Sequence, residues 1–169
     1  MSIHPIFVTG PQRAGSRLAA RIIERETGRT FVDELEYNLD IPMNSVIQAP
    51  FLLKTVLELS FVFPTAQFAF MYRDKQDIVS SLERVEWYKN IVDAPDFYSS
   101  FVDHSYTYID QLKNELPQER WFDIQYESLV HDPLFVTDRS DFTTMQYLPD
   151  KPVGPKTWRD DGYLRTIKE

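Results

Sequence analysis

The residues best suited to chemistry lie in a glycine-containing loop near the start of the chain. A short apolar run ends at Thr9, and residues 10–17 then read Gly-Pro-Gln-Arg-Ala-Gly-Ser-Arg. Gly10 and Gly15 allow the backbone to curl so that successive N–H groups point into one concavity. The helix predicted next adds its positive N-terminal end to that concavity. The loop therefore predicts a binding site for phosphate or sulfate.

The positive charge of this loop comes from arginine. The spacing of Gly10 and Gly15 matches the first half of a Walker A loop, but Ser16 and Arg17 stand where Lys-Ser or Lys-Thr would follow. Arg13 and Arg17 can supply the charge instead, since each charged hydrogen bond contributes about 1.5–3 kcal/mol. The alternative is a plain glycine turn with arginines in solvent. The predicted anion-binding residues are Gly10, Arg13, Ala14, Gly15, Ser16 and Arg17.

A second candidate anion site follows the clearest buried strand, residues 67–72. That strand stops at Arg73-Asp74, and Asp74 is suited to cap the N-terminus of the next helix. An arginine at the carboxyl end of a strand and a hydroxyl in the next helix, here Ser81, can converge on one anion. Arg73 can equally be an ordinary charge at a strand end.

Strands and helices alternate along the chain, which determines where these residues must lie. Apolar runs predict strands at residues 3–8, 31–32, 51–53, 67–72 and 121–126. Helices are predicted at residues 15–27, 56–63 and 97–114, with another that begins after Asp74 and reaches Val85. The alternation indicates one α/β domain over residues 1–169, with a central parallel sheet between two helical layers and ligands beyond the carboxyl ends of the strands. Residues 134–169 are expected to form a loop-rich C-terminal arm.

The composition narrows the class of function. The formal net charge of −8 has the wrong sign for binding duplex nucleic acid or an anionic membrane. With no cysteine, a thiolate nucleophile and a cysteine-based metal site are excluded. The three histidines show no metal-ligand spacing, so we expect no metal. No secretory signal and no run of about 20 apolar residues is visible, so we expect a cytoplasmic protein that binds neither nucleic acid nor membrane.

Several segments, in matching order, resemble those of the sulfotransferases. Residues 13–18, Arg-Ala-Gly-Ser-Arg-Leu, resemble the Arg/Lys-Ser-Gly-Thr-Thr loop that holds the 5′-phosphosulfate of the donor, 3′-phosphoadenosine 5′-phosphosulfate (PAPS). Residues 70–81 are similar to the family's strand ending in Arg-Asn/Asp-Pro-x-Asp, with a serine eight residues after the arginine. Residues 51–55 and 63–68 resemble its Lys-Thr/Ser strand end and its Phe-Pro-x-Ala segment. Residues 122–133 resemble its Tyr-Glu-x-Leu…Pro element.

The resemblance implies a P-loop-like sulfotransferase fold and transfer of a sulfuryl group from PAPS to a hydroxyl or an amine, with 3′-phosphoadenosine 5′-phosphate as product. It implies that Arg73 and Ser81 grip the donor's 3′-phosphate and that Tyr126 lies near the adenine. Sulfuryl transfer disperses charge in its transition state, so the protein mainly positions groups and neutralises charge. We expect Arg13 and Lys54 to stabilise the sulfuryl oxygens and the departing phosphate.

A general base must take the acceptor's proton. The cytosolic branch of the family has a histidine directly after Lys-Thr, where this chain has Val56. The tyrosyl-protein branch has a glutamate 21 residues after the loop arginine, and counting from Arg13 gives Glu34. Glu34 is the predicted base, with Asp33 and Glu36 as alternatives. Burial would have to raise the pKa of such a carboxylate for it to serve well.

Two other functions compete with this interpretation. One is a phosphotransferase that binds a nucleoside triphosphate and magnesium through the same loop, and the other is a degenerate anion-binding module without turnover. Arg17 replaces the second loop threonine of the resembled family, and Lys75 replaces the proline after Arg-Asp. The chain is short for that family, which favours a small or extended acceptor. The oligomeric state is left open.

Overall fold

The computed structural model describes residues 4–33, 41–85, 96–132 and Leu134. Its strands are β1 (Ile6–Thr9), β2 (Thr30–Asp33), β3 (Ser45–Gln48), β4 (Gln67–Tyr72) and β5 (Trp121–Gln125). Its α-helices are α1 (Ser16–Thr27), α2 (Val56–Val62), α3 (Lys75–Val85) and α4 (Phe97–Glu115). Within the described residues, 3₁₀ helices span Pro50–Thr55, Gln118–Arg120 and Tyr126–His131.

The five strands form one parallel sheet in the order β2-β3-β1-β4-β5. Val8 near the end of β1 lies opposite Gln48 of β3 on one side and Ala69 of β4 on the other. Asp33 at the end of β2 lies opposite Gln48 in turn. Because all strands run in one direction, their carboxyl ends share an edge, and the central strand β1 opens there onto the glycine-containing loop.

Apolar side chains cover both faces of the sheet. Along β1, Val8 packs in a cluster with α1 and α3, whereas Phe7 packs in a second cluster with α2 and α4. Strands that are buried on both sides need near-continuous apolar sequence, and the four residues of β1 are all buried. The predicted three-layer α/β fold with a parallel sheet is confirmed.

The predicted third strand at residues 51–53 is wrong. Those residues lie in the first 3₁₀ helix, and the strand is β3, a few residues earlier. Pro50 has no N–H to donate to a ladder and instead begins the helix, and Leu52 and Leu53 reach the core from it. A short apolar run cannot by itself distinguish a strand from a buried helical turn.

The other predicted elements appear close to their expected bounds. β4 has the predicted limits, and α1 ends at Gly28, which adopts a left-handed conformation with φ 68° and closes the helix through a backbone bond to Glu24. Except for Leu134, the predicted C-terminal arm lies outside the described residues, so its form and the single-domain extent stay predictions. Within the part of the chain that the structure describes, no helix is long and apolar enough to cross a membrane.

Candidate active site

The loop between β1 and α1 has the backbone geometry of an anion cradle. Gly10 packs so closely against β4 that an added Cβ would lie 2.9 Å from the carbonyl oxygen of Met71. Arg13 has φ 71°, a left-handed conformation that a non-glycine residue adopts at a cost and that often marks a functional site. No side chain caps the N-terminus of α1 at Gly15, so the first amides of the helix face the loop.

Three of the predicted site residues meet directly beside this loop. Arg13 donates a hydrogen bond from Nε to Oγ of Ser81, at 3.0 Å. Arg73 donates from Nη1 to the backbone carbonyl of Arg13, at 2.9 Å. Ser81 is buried, and Arg73 is half-buried. Two guanidinium groups and a hydroxyl from separate elements thus share one small region, which favours an anion with more than one negative charge.

Tyr126 joins the loop to Arg73. Its ring lies against Gly15, where an added Cβ would sit 2.8 Å from the ring atom Cε2. The guanidinium of Arg73 stacks over the same ring, 4.2 Å from its centroid. The structure therefore brings Tyr126 together with the predicted donor-binding residues, and contact with adenine stays a prediction.

The turn at Arg73-Asp74 is held from both sides by Tyr106 and Glu127, for which the sequence predicted no such role. The hydroxyl of Tyr106 donates to the Arg73 carbonyl at 2.7 Å and accepts from the Arg73 amide at 3.0 Å. The amide of Asp74 donates to Oε1 of Glu127 at 2.8 Å, and Gln125 donates to the other oxygen of that carboxylate. We call Arg73, Ser81, Tyr106, Tyr126 and Glu127 the Arg73 half of the site.

These contacts affect two pKa values. Burial raises the pKa of Tyr106 above its ordinary value, so this phenol stays protonated and able to donate. For Glu127, partial burial raises the pKa, but the hydrogen bonds from the Asp74 amide and from Gln125 outweigh burial and lower it. Glu127 is therefore held as a carboxylate acceptor at neutral pH.

A second polar group lies at the ends of β2 and β3. Ser16 donates to Oε1 of Gln48 at 2.7 Å, and Gln48 donates from Nε2 to Oδ1 of Asp33 at 2.9 Å. Arg17 forms an ion pair with Oδ2 of the same aspartate. Ser16, Gln48 and Asp33 are buried. We call these four residues the Asp33 network; Gln48 is the member that the sequence did not suggest.

Of the three candidate bases, Asp33 lies among the described residues. Asp33 has both carboxylate oxygens engaged, by Gln48 and by Arg17, which suits a structural acceptor better than a group that must pick up a proton. Glu34, the predicted base, and Glu36 lie outside the described residues. The assignment of Glu34 stays a prediction.

Lys54 is not bonded to any of these groups. It is exposed in the last turn of the first 3₁₀ helix, and its ammonium forms no hydrogen bond or ion pair with other described residues. That helix starts beside the end of β1, because Thr9 donates to the carbonyls of Ala49 and Pro50. The role of Lys54 toward the sulfuryl group stays a prediction.

Within residues 4–33, 41–85 and 96–132, no group of three or more histidine, aspartate or glutamate side chains is arranged to hold a metal ion. At this edge of the sheet, the guanidinium groups of Arg13 and Arg73 lie together with the Ser81 hydroxyl. The arrangement can bind phosphate or sulfate groups through the loop amides, through Arg13, and through Arg73 with Ser81.

Solved structures share this fold. The sulfotransferase domain from the curacin biosynthetic pathway superposes with a TM-score of 0.62 at 16% identity, over 87% of this chain and 78% of that one. A sulfotransferase from Alicyclobacillus acidocaldarius gives 0.52 at 13% identity, over 79% and 77%. No curated protein matches the sequence.

The family itself is identified by sequence. The sequence model of the sulfotransferase family matches residues 24–139, which is more than half of the chain. The matched segment contains Arg73, Ser81 and Tyr126 but begins after the loop at residues 10–17, whose assignment rests on its geometry. The chain belongs to the sulfotransferase family.

Proposed function

We propose that the protein transfers a sulfuryl group from PAPS to a hydroxyl or an amine. The observation that carries the proposal is the direct contact of Arg13 with Ser81 and of Arg73 with the Arg13 backbone. The loop that would hold the 5′-phosphosulfate and the pair that would hold the 3′-phosphate are thus parts of one site, as binding of a single adenosine derivative requires.

In the proposed reaction, the acceptor oxygen or nitrogen attacks sulfur while the bond from sulfur to the 5′-phosphate oxygen breaks. The acceptor's proton passes to a base, for which Glu34 is the candidate, and 3′-phosphoadenosine 5′-phosphate leaves. The loop amides and Arg13 would stabilise the charge that develops on the sulfuryl oxygens and on the departing phosphate. Lys54 would join them if it turns toward the loop when the donor binds.

Donor recognition would be divided among several elements. Arg73 and Ser81 would bind the 3′-phosphate. Tyr126 would lie next to the adenine, since its ring contacts the loop and the Arg73 guanidinium. The acceptor would be small or extended.

A phosphotransferase is less well supported by the same residues. In P-loop enzymes a Ser or Thr after the loop lysine and an Asp hold Mg²⁺. In this chain the corresponding loop position is Arg17, whose guanidinium is paired with the buried carboxylate of Asp33. A cation of the protein itself therefore lies in a position where that class needs a metal ligand.

Calorimetric titration with 3′-phosphoadenosine 5′-phosphate, and separately with ATP and Mg²⁺, tests the proposal. We expect the bisphosphate to bind in the micromolar range or tighter and to displace any weakly bound ATP. Binding of ATP with no response to the bisphosphate would contradict the proposal and favour a phosphotransferase.

A turnover assay then separates an enzyme from a binding module. Slow hydrolysis of PAPS to the bisphosphate, or transfer to an added hydroxyl or amine acceptor, is expected for the enzyme and absent from a module. Glu34→Gln should reduce this rate at least tenfold with little effect on bisphosphate binding. An unchanged rate would reject Glu34 as the base while leaving the donor site intact.

A further inference from the structure

Ser16 and Arg17, the first two residues of α1, are both oriented by one buried carboxylate. Asp33 accepts a hydrogen bond from Gln48 on one carboxylate oxygen and pairs with Arg17 through the other. Gln48 in turn accepts a hydrogen bond from Ser16. We propose that Asp33 and Gln48 are positioning residues that shape the part of the site binding the donor's 5′-phosphate. This inference rests on the proposed function.

The direction of the hydrogen bonds follows from the chemistry of Asp33. An ionised carboxylate only accepts, so Gln48 must turn its NH₂ group toward Asp33 and its carbonyl oxygen toward Ser16. That carbonyl can only accept, so the Ser16 hydroxyl proton is directed at Gln48 and not at the loop concavity. An anion in the loop would therefore take its hydrogen bonds from the backbone amides and from arginine, and Ser16 would act by fixing the start of α1.

Burial makes this arrangement rigid. The exposed fraction is 3% for Asp33 and 3% for Gln48, and the Arg17 side chain retains 11%. Gln48 also lies opposite Asp33 in the β2–β3 ladder and opposite Val8 in the β3–β1 ladder, so the network ties three adjacent strand ends to the first turn of α1. Polar networks that are buried and satisfied in this way restrict their members to one geometry.

The network and the Arg73 half of the site contact different parts of the loop. Ser16 and Arg17 follow Gly15 in the chain, whereas Arg73 and Ser81 bond to Arg13, which precedes it. A defect in the network should therefore weaken the grip on the 5′-phosphate and leave the 3′-phosphate contacts intact. This separation allows a test with two ligands that differ by one phosphate.

The test measures calorimetric affinities for adenosine 3′,5′-bisphosphate and for adenosine 3′-monophosphate. In the wild type, the ratio of the two affinities reports the contribution of the 5′-phosphate. Asp33→Asn and Gln48→Met should each lower bisphosphate affinity at least tenfold and monophosphate affinity less than twofold. Asp33→Glu, which keeps the carboxylate, should recover part of the loss.

Arg21→Gln is the matched control, because Arg21 is one turn further along α1 and is likewise paired with an acid, Glu24. Both of its affinities should equal those of the wild type. If Asp33→Asn does not fold, as judged by thermal unfolding, Gln48→Met carries the same test, since it removes no charge.

The outcomes separate the two proposals. Equal losses for both ligands would show a general structural role, and an unchanged or increased affinity ratio would show that the network does not position the 5′ site; either overturns the inference while the proposed function stands. A wild type that does not bind the bisphosphate would instead overturn the proposed function, and the inference with it.

Discussion

Arg73 and Arg17 both lie at the carboxyl edge of the sheet, but the protein holds them through different kinds of group. For Arg73 it fixes the backbone through the Tyr106 hydroxyl, and the half-buried side chain through the uncharged Tyr126 ring and Arg13 carbonyl. For Arg17 it fixes the side chain, through the buried carboxylate of Asp33. We therefore expect the Arg73 half to present groups to a ligand and the Asp33 network to keep the loop in shape.

Removal of the Arg73 guanidinium is expected to have the largest effect on donor binding. Arg73→Gln should lower affinity for 3′-phosphoadenosine 5′-phosphate about 100-fold, since an arginine on a phosphate forms charged hydrogen bonds worth about 1.5–3 kcal/mol each. Adenosine 3′-monophosphate should lose affinity to the same extent. Arg84→Gln is the control, because Arg84 is an exposed arginine in the last turn of α3. A loss under threefold for Arg73→Gln would remove Arg73 from the donor site.

Substitution of Gly15 tests whether the loop and Tyr126 must stay in contact. Gly15→Ala places a Cβ against the Tyr126 ring at φ 92°, so the ring must move away from both the loop and Arg73. Bisphosphate affinity should fall by about tenfold or more, and urea unfolding should show a loss of about 2 kcal/mol or more.

Gly28→Ala provides a matched control for that substitution. Gly28 also has a positive φ, of 68°, but nothing lies within 4 Å of its added Cβ. Gly28→Ala should lower the free energy of unfolding only by the cost of a left-handed backbone, about 1–2 kcal/mol, and should leave the bisphosphate affinity unchanged. Equal affinity losses in the two variants would mean that the contact with Tyr126 is irrelevant to binding.

Removal of one hydroxyl tests how the Arg73 turn is held. Tyr106→Phe deletes the two hydrogen bonds to the Arg73 backbone, each worth about 1 kcal/mol. We expect bisphosphate affinity to fall about three- to tenfold. Tyr108→Phe, on the same helix, removes a hydroxyl that bonds to no other described residue and should change nothing. If the two variants behave alike, Tyr106 does not position Arg73.

The smallest expected effect is the pH dependence of stability due to Glu127. Its pKa is lower in the folded protein than in the unfolded chain, so its stabilising contribution is present above the unfolded pKa of about 4.3–4.5 and is lost as pH falls through the folded pKa. Glu127→Gln should therefore flatten the decrease of unfolding free energy between about pH 5 and pH 3. Urea titrations at several pH values measure this slope, and an unchanged slope would contradict the assignment of Glu127 as the acceptor for the Asp74 amide.

Much of the fold follows from local sequence. β4 and α1 have long apolar patterns and clear end signals, Asp74 and Gly28, and the structure places them as predicted. β3 was missed because two of its four residues, Ser45 and Gln48, are polar, whereas the residues after Pro50 are more apolar and were predicted as the strand. Pairing between strands is a property of the whole sheet and leaves little trace in a short segment.

In the candidate site, too, residues with a local sequence signal could be predicted, whereas residues defined by tertiary contacts could not. Arg13, Arg73 and Ser81 were predictable because each follows a strand end or matches a family motif, and they do meet. Gln48 and Tyr106 were not, since their partners are set by strand register and by helix packing: Tyr106 bonds to a backbone 33 residues away. Such supporting residues carry no motif of their own.

We propose that the loop at residues 10–17 and the Arg73–Ser81 pair bind the two phosphates of one donor molecule. The most direct test compares the wild-type affinities for adenosine 3′,5′-bisphosphate, adenosine 5′-monophosphate and adenosine 3′-monophosphate by calorimetry. We expect the bisphosphate to bind at least 100-fold more tightly than either monophosphate, because only the bisphosphate uses the loop and the Arg73–Ser81 pair together. A bisphosphate that binds no better than adenosine 5′-monophosphate would contradict it.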